Sequence, residues 1–180
     1  NKLTPAQREE RNNYEKEVIQ NRKHFFELLD NLKENVTNNS KNENLKRDIY
    51  FVISTLGANM NGIAKRLYRI GDDPRIEELM DNEIEKNIKK GKKGYATMKA
   101  EHNPPSTWML KNIATPYVFG AINKKEALDF YKKGRLNMIP ESEDKKIVKA
   151  NLQYTMPEGF DFRKDSPDMR YEEAQIGCKI

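Results

Sequence analysis

The densest group of side chains that can bind an anion lies in residues 86–99, where lysines surround two glycines and a tyrosine. Lysine ammonium groups neutralise phosphates, and a tyrosine ring can stack on a base. The possible polyanion-binding residues are Lys86, Lys89, Lys90, Lys92, Lys93, Tyr95 and Lys99. The spacing of a P-loop is absent. Because lysine gives little bidentate recognition, the segment predicts an electrostatic, salt-sensitive contact with a nucleic acid. The alternative is a solvated helix end whose lysines complement the helix dipole.

Residues suited to catalysis or metal binding are few. His24 has no second histidine near it, and His102 follows Glu101 in a segment without a nameable catalytic partner. A general base and a metal site both need partners at defined spacing. We therefore predict no catalytic residue, no metal and no cofactor, and an enzyme of unknown class is the third-ranked function.

The single cysteine, Cys178, allows no internal disulfide and no zinc site. It predicts an intracellular, reducing compartment, either the cytoplasm or an organelle matrix after removal of a presequence. No apolar run reaches the roughly 18 residues of a membrane-spanning helix. The chain begins at Asn1, which indicates a trimmed or processed product.

The composition points to a chain that is heavily solvated or pressed against a partner. Charged residues make up 34% of it, above the usual ~25%. The 33 basic and 28 acidic side chains give a net charge of +5. Because residues 153–180 are acidic on balance, the first 152 residues hold the positive excess. A contact with a polyanion is therefore expected in that part.

The N-terminal half predicts two long helices. Thr4 to Gln7 forms a capping box, and apolar residues then recur every three, four or seven positions as far as Val36. After the polar connection at residues 35–44, residues 45–70 carry a coiled-coil-like stripe of aliphatic side chains. Tyr50, Phe51 and Ile53 widen that apolar face, which predicts one helix, ended by Gly71 and covered by its neighbours.

Shorter elements follow. Asp73 and Pro74 predict the start of a third helix that runs to about Lys90. Short helices are predicted at 106–114, at 124–133 behind an Asn123 capping box, and at 143–152 behind Ser142. Residues 115–122 fit either a helical turn or a short buried strand.

After Tyr154 the chain has no period and contains the aromatic residues Phe160, Phe162 and Tyr171. Such a tail is either disordered or draped over a surface. Disordered segments are usually poor in aromatic residues, so the draped form is favoured. These three aromatics are possible partner-docking residues.

Together the patterns predict a mainly α fold, an antiparallel helical bundle built on two long N-terminal helices with shorter helices and an extended C-terminal tail. The predicted domains are a helical domain over 1–152 and the tail over 153–180. The first functional hypothesis is a non-catalytic helical subunit or adaptor of a larger protein assembly. It would dock through its long helices and its tail. The alternative is a protein that binds RNA or DNA through the basic segment at 86–99. The oligomeric state is not predicted.

Overall fold

The computed structural model describes residues 3–39, 41–58, 67–71, 74–91 and 98–177. It confirms a mainly helical fold with a long N-terminal helix. The elements in chain order are α1 (Pro5–Asn38), α2 (Glu43–Ala58), β1 (Arg69–Ile70), α3 (Pro74–Lys89), β2 (Met98–Asn103), α4 (Ser106–Met109), a π-helical segment (Leu110–Ala114), α5 (Thr115–Val118), α6 (Lys124–Tyr131), β3 (Arg135–Pro140), α7 (Glu141–Lys149) and α8 (Met169–Glu173). The chain divides into two compact units, unit one (Asn1–Arg69 with Ser106–Gly134) and unit two (Ile70–Pro105 with Arg135–Ile180).

Helix α1 begins at the predicted capping box. The Thr4 hydroxyl accepts a hydrogen bond from the Gln7 N–H at 3.2 Å, and the Gln7 side chain accepts one from the Thr4 N–H at 2.9 Å. The apolar stripe is buried as predicted, at Val18, Phe25, Leu29 and Val36. Residues 3–10 are exposed, so the first turns of α1 take no part in the core of unit one.

Helix α2 ends at Ala58, and the chain forms a strand at Arg69–Ile70. The prediction of one helix over residues 45–70 is therefore wrong at its C-terminal end; residues 59–66 lie outside the described residues. The predicted burial is also wrong in part. Ile49 and Ile53 are buried, whereas Val52 is exposed although it belonged to the predicted stripe.

Side chains of α1 explain why the helical pattern does not continue to residue 70. Arg22 Nε donates a hydrogen bond to the Leu67 carbonyl at 2.8 Å, and the Tyr14 hydroxyl donates to the Tyr68 carbonyl at 2.9 Å. These bonds engage carbonyl groups that a helix would use internally. Long-range polar contacts therefore outweigh a local aliphatic spacing.

Aromatic side chains from distant parts of the chain fill the core of unit one. The Phe26 ring centroid lies 5.5 Å from that of Tyr131 and 5.8 Å from that of Tyr117. Phe25 lies 5.6 Å from Tyr131. Tilted and edge-to-face contacts of this kind add to the stabilisation from apolar burial.

The segment at 106–118 is one continuous helical run with a π-helical turn. Pro116 has no N–H to donate, so the regular α-helical pattern cannot continue through it. The Thr115 N–H bonds the Leu110 carbonyl instead, and the Thr115 hydroxyl donates to the same oxygen at 2.9 Å. Of the two alternatives for residues 115–122, the helical turn is the one observed, at Thr115–Val118.

A sheet that the sequence did not predict has the strand order β1-β3-β2, and its strands β2 and β3 belong to unit two. Strands β2 and β3 are antiparallel, with Met98 opposite Pro140. Gly71 was predicted to end a helix but instead donates its N–H to the Leu136 carbonyl at 2.8 Å. An added Cβ there would lie 1.4 Å from Asn137 Oδ1, so the close approach requires glycine.

Helices α3 and α7 differ from prediction in detail. Asp73, predicted to start α3, lies outside the described residues, and the apolar residue Ile88 near the end of α3 is exposed. The prediction that Ser142 caps α7 is wrong. Ser142 lies within α7, and its hydroxyl donates to Glu83 Oε2 at 3.2 Å.

The described part of the tail is packed against the rest of unit two. Its side chains join one apolar cluster, whose buried members are Ile139, Ile147, Leu152, Tyr171, Ala174 and Ile176. Of the two alternatives for the tail, this packed form is the one observed.

None of the described helices is both long enough and apolar enough to cross a lipid bilayer.

Candidate functional site

The lysines predicted to bind a polyanion lie at the end of α3 and the start of β2, both in unit two. Lys86, Lys89 and Lys90 are exposed. The Lys86 ammonium lies 4.0 Å from Glu83, and that of Lys89 lies 3.7 Å from Glu85. Their charge is partly offset within α3. Lys92, Lys93 and Tyr95 lie outside the described residues.

Lys99 is further engaged with a carboxylate. Its ammonium lies 2.5 Å from Asp144 Oδ2, and this hydrogen bond raises the pKa of Lys99.

The two units differ in net charge, and the difference disfavours unit two as the place for a polyanion. By sequence unit two has 15 basic and 17 acidic side chains, a net charge of −2, whereas unit one has 18 and 11, a net charge of +7. The positive excess of the chain therefore resides in unit one.

The three tail aromatics are not equivalent. Tyr171 is buried, and its hydroxyl accepts a hydrogen bond from Asn137 Nδ2 at 2.9 Å. Phe160 and Phe162 are half-buried, and the Arg163 guanidinium lies 4.4 Å from the centre of the Phe162 ring. Tyr171 therefore belongs to the core of unit two, and of these three residues only the two phenylalanines offer surface to a partner.

Glu101 and Arg170 form an internal ion pair rather than a reactive pair. Arg170 is fully buried, and its guanidinium donates to Glu101 Oε1 at 2.5 Å and to the Leu152 carbonyl at 2.8 Å. Burial of Glu101 raises the pKa of its carboxyl group, although Arg170 opposes that shift. Such a pair joins β2 to the tail, and removing one partner would leave a buried charge.

The described residues include no group of three histidine, cysteine or carboxylate side chains placed to hold a metal ion. His24 and Glu27 lie on the exposed side of α1, where His24 Nδ1 is 3.7 Å from Glu27 Oε2. Cys178, the single cysteine of the chain, lies outside the described residues.

A concave surface lies between α1 and α2, but the residues lining it are all polar: Asn38, Asn39, Lys41, Asn42, Glu43 and Asn44. It lacks the apolar lining of a typical small-molecule pocket.

Among the described residues of unit one, the outer face of α2 has three consecutive exposed apolar side chains. Ile49 and Ile53 are buried one turn apart and face the packed side, where α2 contacts α4 and the π-helical segment. The three residues between them must point elsewhere, because successive side chains of a helix are about 100° apart. Tyr50, Phe51 and Val52 therefore face outward, and 46%, 70% and 44% of their surface is exposed.

These three residues and Arg47 are hereafter called the α2 face. Arg47 is exposed and lies three and four positions before Tyr50 and Phe51, so it borders them on the helix surface. Tyrosine, phenylalanine and arginine are enriched at the centres of protein interfaces. The α2 face thus has the composition of a docking surface.

Contacts between α1 and the helices after Ser106 hold this part of unit one in place. The Tyr117 hydroxyl donates a short hydrogen bond to Asp30, whose other oxygen lies 2.6 Å from the Lys124 ammonium. Burial acts to raise the pKa of Asp30, but these two donors outweigh it and lower the pKa. Burial and the bond to Asp30 raise the pKa of Tyr117 to about 12. The network fixes α1 against α5 and α6.

The sequence reasoning placed Phe51 and Val52 on a covered face and so missed the α2 face. The missed signal was the uninterrupted run of five apolar residues from Ile49 to Ile53. Such a run surrounds a helix, and a helix packed on one side must then expose part of it.

Comparison of the chain with protein-family models, with curated protein sequences and with solved structures finds no match.

Proposed function

We propose that this protein is a non-catalytic helical subunit or adaptor of a larger protein assembly, which binds its partner through the α2 face. The observation that carries this proposal is the exposure of three consecutive large apolar side chains, Tyr50, Phe51 and Val52, on one helix. Phe51 lies between Tyr50 and Val52, which point to opposite flanks of the helix about 200° apart. Exposed apolar residues that occur singly are ordinary, whereas a larger exposed apolar surface marks an interaction site.

The energetic argument rests mainly on Phe51, which is 70% exposed. Covering a large apolar side chain stabilises a complex by about 1.5–3 kcal/mol. Tyr50 adds an aromatic surface with a polar tip, and Arg47 can pair with a carboxylate at the edge of the contact. A central apolar group bordered by charge is the usual anatomy of an interface.

The charge of unit one indicates the chemistry of the partner. In a symmetric dimer built on the α2 face, two units with a net charge of +7 would lie against each other. Repulsion between two contacting units of like net charge disfavours a second copy of this chain as the partner. The proposed partner is a different protein that presents an apolar centre with an acidic border.

Two further features belong to the same proposal. Antiparallel pairing of α1 with α2, as in a helical bundle, would supply a stiff support for the α2 face. Phe160 and Phe162 of the tail would provide a second, smaller contact with the same assembly.

The test compares proteins that co-purify with the intact chain from its own cells. The double variant Phe51→Ser with Val52→Ser removes the centre of the α2 face, and Ile19→Ser is the matched control. Ile19 is 65% exposed on α1, so its replacement also removes exposed apolar surface from unit one. We expect one acidic partner to be retained by the wild type and the control and to be reduced about 10–100-fold by the double variant.

Equal recovery of every co-purifying protein by the double variant and the control would contradict the proposal. Concentration-dependent dimerisation that the double variant abolishes would instead assign the α2 face to a second copy. Circular dichroism of the variants checks that they remain folded. Both substitutions lie at exposed positions, where changes in stability are usually within about 0.5 kcal/mol.

Nucleic-acid binding is the alternative function. Its proposed location at residues 86–99 is in the unit with a net charge of −2, and three of its lysines lie within 4.0 Å of a carboxylate. The charge distribution favours unit one as the place for any contact with phosphates.

A further inference from the structure

A half-buried tryptophan lies at the surface of unit one. Trp108, the only tryptophan of the chain, is in α4. Its ring packs against Phe130 of α6, with centroids 5.8 Å apart and planes inclined by 57°. Phe130 is buried, whereas Trp108 keeps part of its surface accessible. The phenylalanine thus supports the indole from within and holds it in a fixed orientation.

Lysines surround this aromatic pair. The Lys133 ammonium lies 5.5 Å from the centre of the Phe130 ring. Lys132 is adjacent in sequence, and its side chain is 62% exposed. Lys111 is exposed and follows Trp108 by three positions, which places it on the same side of the helical run. Lys133 therefore contacts the ring that supports the indole, and Lys111 lies on the same helical run as the indole.

The segment that carries these lysines has more lysines than carboxylates. Asp129 lies 2.7 Å from the Lys125 ammonium and 3.3 Å from that of Lys132, so one carboxylate serves two lysines. The segment Ser106–Gly134 has five lysines and two acidic residues. This local excess of positive charge lies within the unit that has a net charge of +7.

We infer that unit one has a binding surface for single-stranded nucleic acid, on which Trp108 stacks against a base while Lys111, Lys132 and Lys133 contact phosphates. A partly exposed aromatic ring near cations is a combination that binds single strands. Bases of a duplex are stacked on each other and cannot cover the indole. Lysine gives little bidentate recognition, so the surface accepts many sequences. It is distinct from the α2 face and goes beyond the adaptor function proposed above.

The single tryptophan allows a direct test, because its fluorescence reports on this site alone. Intact protein is titrated with fluorescein-labelled oligouridine and oligothymidine of about 20 nucleotides in about 50 mM salt. We expect the label's anisotropy to rise and the emission of Trp108 to fall over the same concentration range, with at least one of the two strands. Inorganic polyphosphate, which has no bases, is expected to leave the emission unchanged.

The triple variant Lys111→Gln, Lys132→Gln, Lys133→Gln tests the phosphate contacts. Its matched control is Lys145→Gln, Lys149→Gln, Lys164→Gln, which removes three exposed lysines from unit two. We expect the first variant to weaken binding at least about tenfold and to reduce the salt slope by about two, since each contact with a single strand contributes roughly 0.7. The control is expected to change the affinity less than about twofold.

Four results would overturn the inference, and the first three concern binding of the oligonucleotides. These three are the absence of binding at low salt, binding without a change in Trp108 emission, and equal weakening by the two triple variants. Quenching of Trp108 by polyphosphate to the same extent as by the oligonucleotides would also overturn it, because charge alone would then account for the signal. A Trp108→Leu variant, which keeps an apolar side chain against Phe130, is expected to weaken oligonucleotide binding and to leave polyphosphate binding unchanged.

Discussion

Two buried tyrosines differ in whether their hydroxyl group has a partner. Tyr171 in unit two accepts a hydrogen bond from Asn137 at 2.9 Å. The Tyr131 hydroxyl in unit one is buried among aromatic rings, and no described residue lies within hydrogen-bond distance of it. A buried polar group without a partner costs about 1–3 kcal/mol. The same chemical group thus stabilises one unit and destabilises the other.

The substitution Tyr131→Phe should therefore raise the free energy of unfolding by about 1 kcal/mol, whereas Tyr171→Phe should lower it by about 1 kcal/mol. Urea unfolding followed by circular dichroism measures both changes. A loss of stability in Tyr131→Phe as large as that in Tyr171→Phe would show that the Tyr131 hydroxyl has a partner after all.

Tyr117 predicts a dependence of stability on alkaline pH. Its pKa is raised from 10.0 to about 12 by burial and by Asp30. The folded state keeps the phenolic proton over this range while the unfolded state releases it. The stabilisation that the protonated Tyr117 hydroxyl contributes is therefore complete below pH 10 and is lost as the pH rises towards 12.

Replacement of Tyr117 by phenylalanine should remove that contribution. We expect the unfolding free energy of the wild type to fall between these pH values by about 1–2 kcal/mol more than that of Tyr117→Phe. Urea unfolding of both proteins near pH 10 and near pH 12 gives the comparison. Parallel losses in the two proteins would exclude a role for Tyr117.

At the scale of elements, two helices begin with the same capping motif but in different settings. Asn123 caps α6, whose Ala127, Phe130 and Tyr131 are buried in unit one. Thr4 caps the first turns of α1, which are exposed. Loss of a cap costs global stability only where the capped turn is part of the packed structure.

Asn123→Ala is accordingly expected to lower the unfolding free energy by about 1 kcal/mol. Thr4→Ala should change it by less than about 0.3 kcal/mol, because the first turn of α1 can fray while the core remains intact. Thermal and urea unfolding of the two variants distinguish the cases. An equal loss in both would indicate that the start of α1 is held by further contacts.

The tail gives a second prediction at this scale. Tyr171, Ala174 and Ile176 join the apolar cluster of unit two with Ile139 of β3 and Ile147 of α7. Ending the chain at Tyr154 should therefore increase amide hydrogen exchange in β3 and α7 at least about tenfold, since local stability follows buried contacts. Mass spectrometry locates the change. Unaltered protection of β3 and α7 would show that the tail is dispensable for unit two.

Local signals in the sequence predicted the elements that depend on local interactions. Both capping boxes and the buried stripe of α1 follow from residues three to seven positions apart. The sheet was missed because the alternation of apolar and polar residues in β2 and β3 covers only four positions in each strand, and because the strands pair across 31 intervening residues. The buried Arg170 was missed for the same reason, because its partner Glu101 is 69 positions away.

The candidate sites were predictable to a smaller extent. The lysines at 86–99 were conspicuous in sequence, but the carboxylates beside them become apparent only from helix geometry and from pairing between distant segments, as for Lys99 and Asp144. The exposure of Phe51 depends on which side of α2 is packed. Spacing alone assigned it to the covered face.

At the scale of the whole molecule, the division of charge between the two units underlies both proposals. Unit one, with a net charge of +7, contains the α2 face and the Trp108 surface, and unit two has a net charge of −2. Long-range attraction to acidic partners and to nucleic acid is screened by salt over roughly 10 Å at 0.1 M. Apolar docking at the α2 face should be less sensitive to salt than the phosphate contacts.

The central claim is that the α2 face touches a partner protein. The most direct measurement replaces Phe51 by a photoreactive benzoylphenylalanine and illuminates the protein in its own cells, with Glu27 on α1 replaced as the control. The Glu27 side chain is 57% exposed and belongs to the same unit. The account predicts that position 51 alone yields a cross-linked protein, and that this protein is the one lost from the Phe51→Ser, Val52→Ser variant. Cross-linking that is absent at position 51, or identical at both positions, would contradict it.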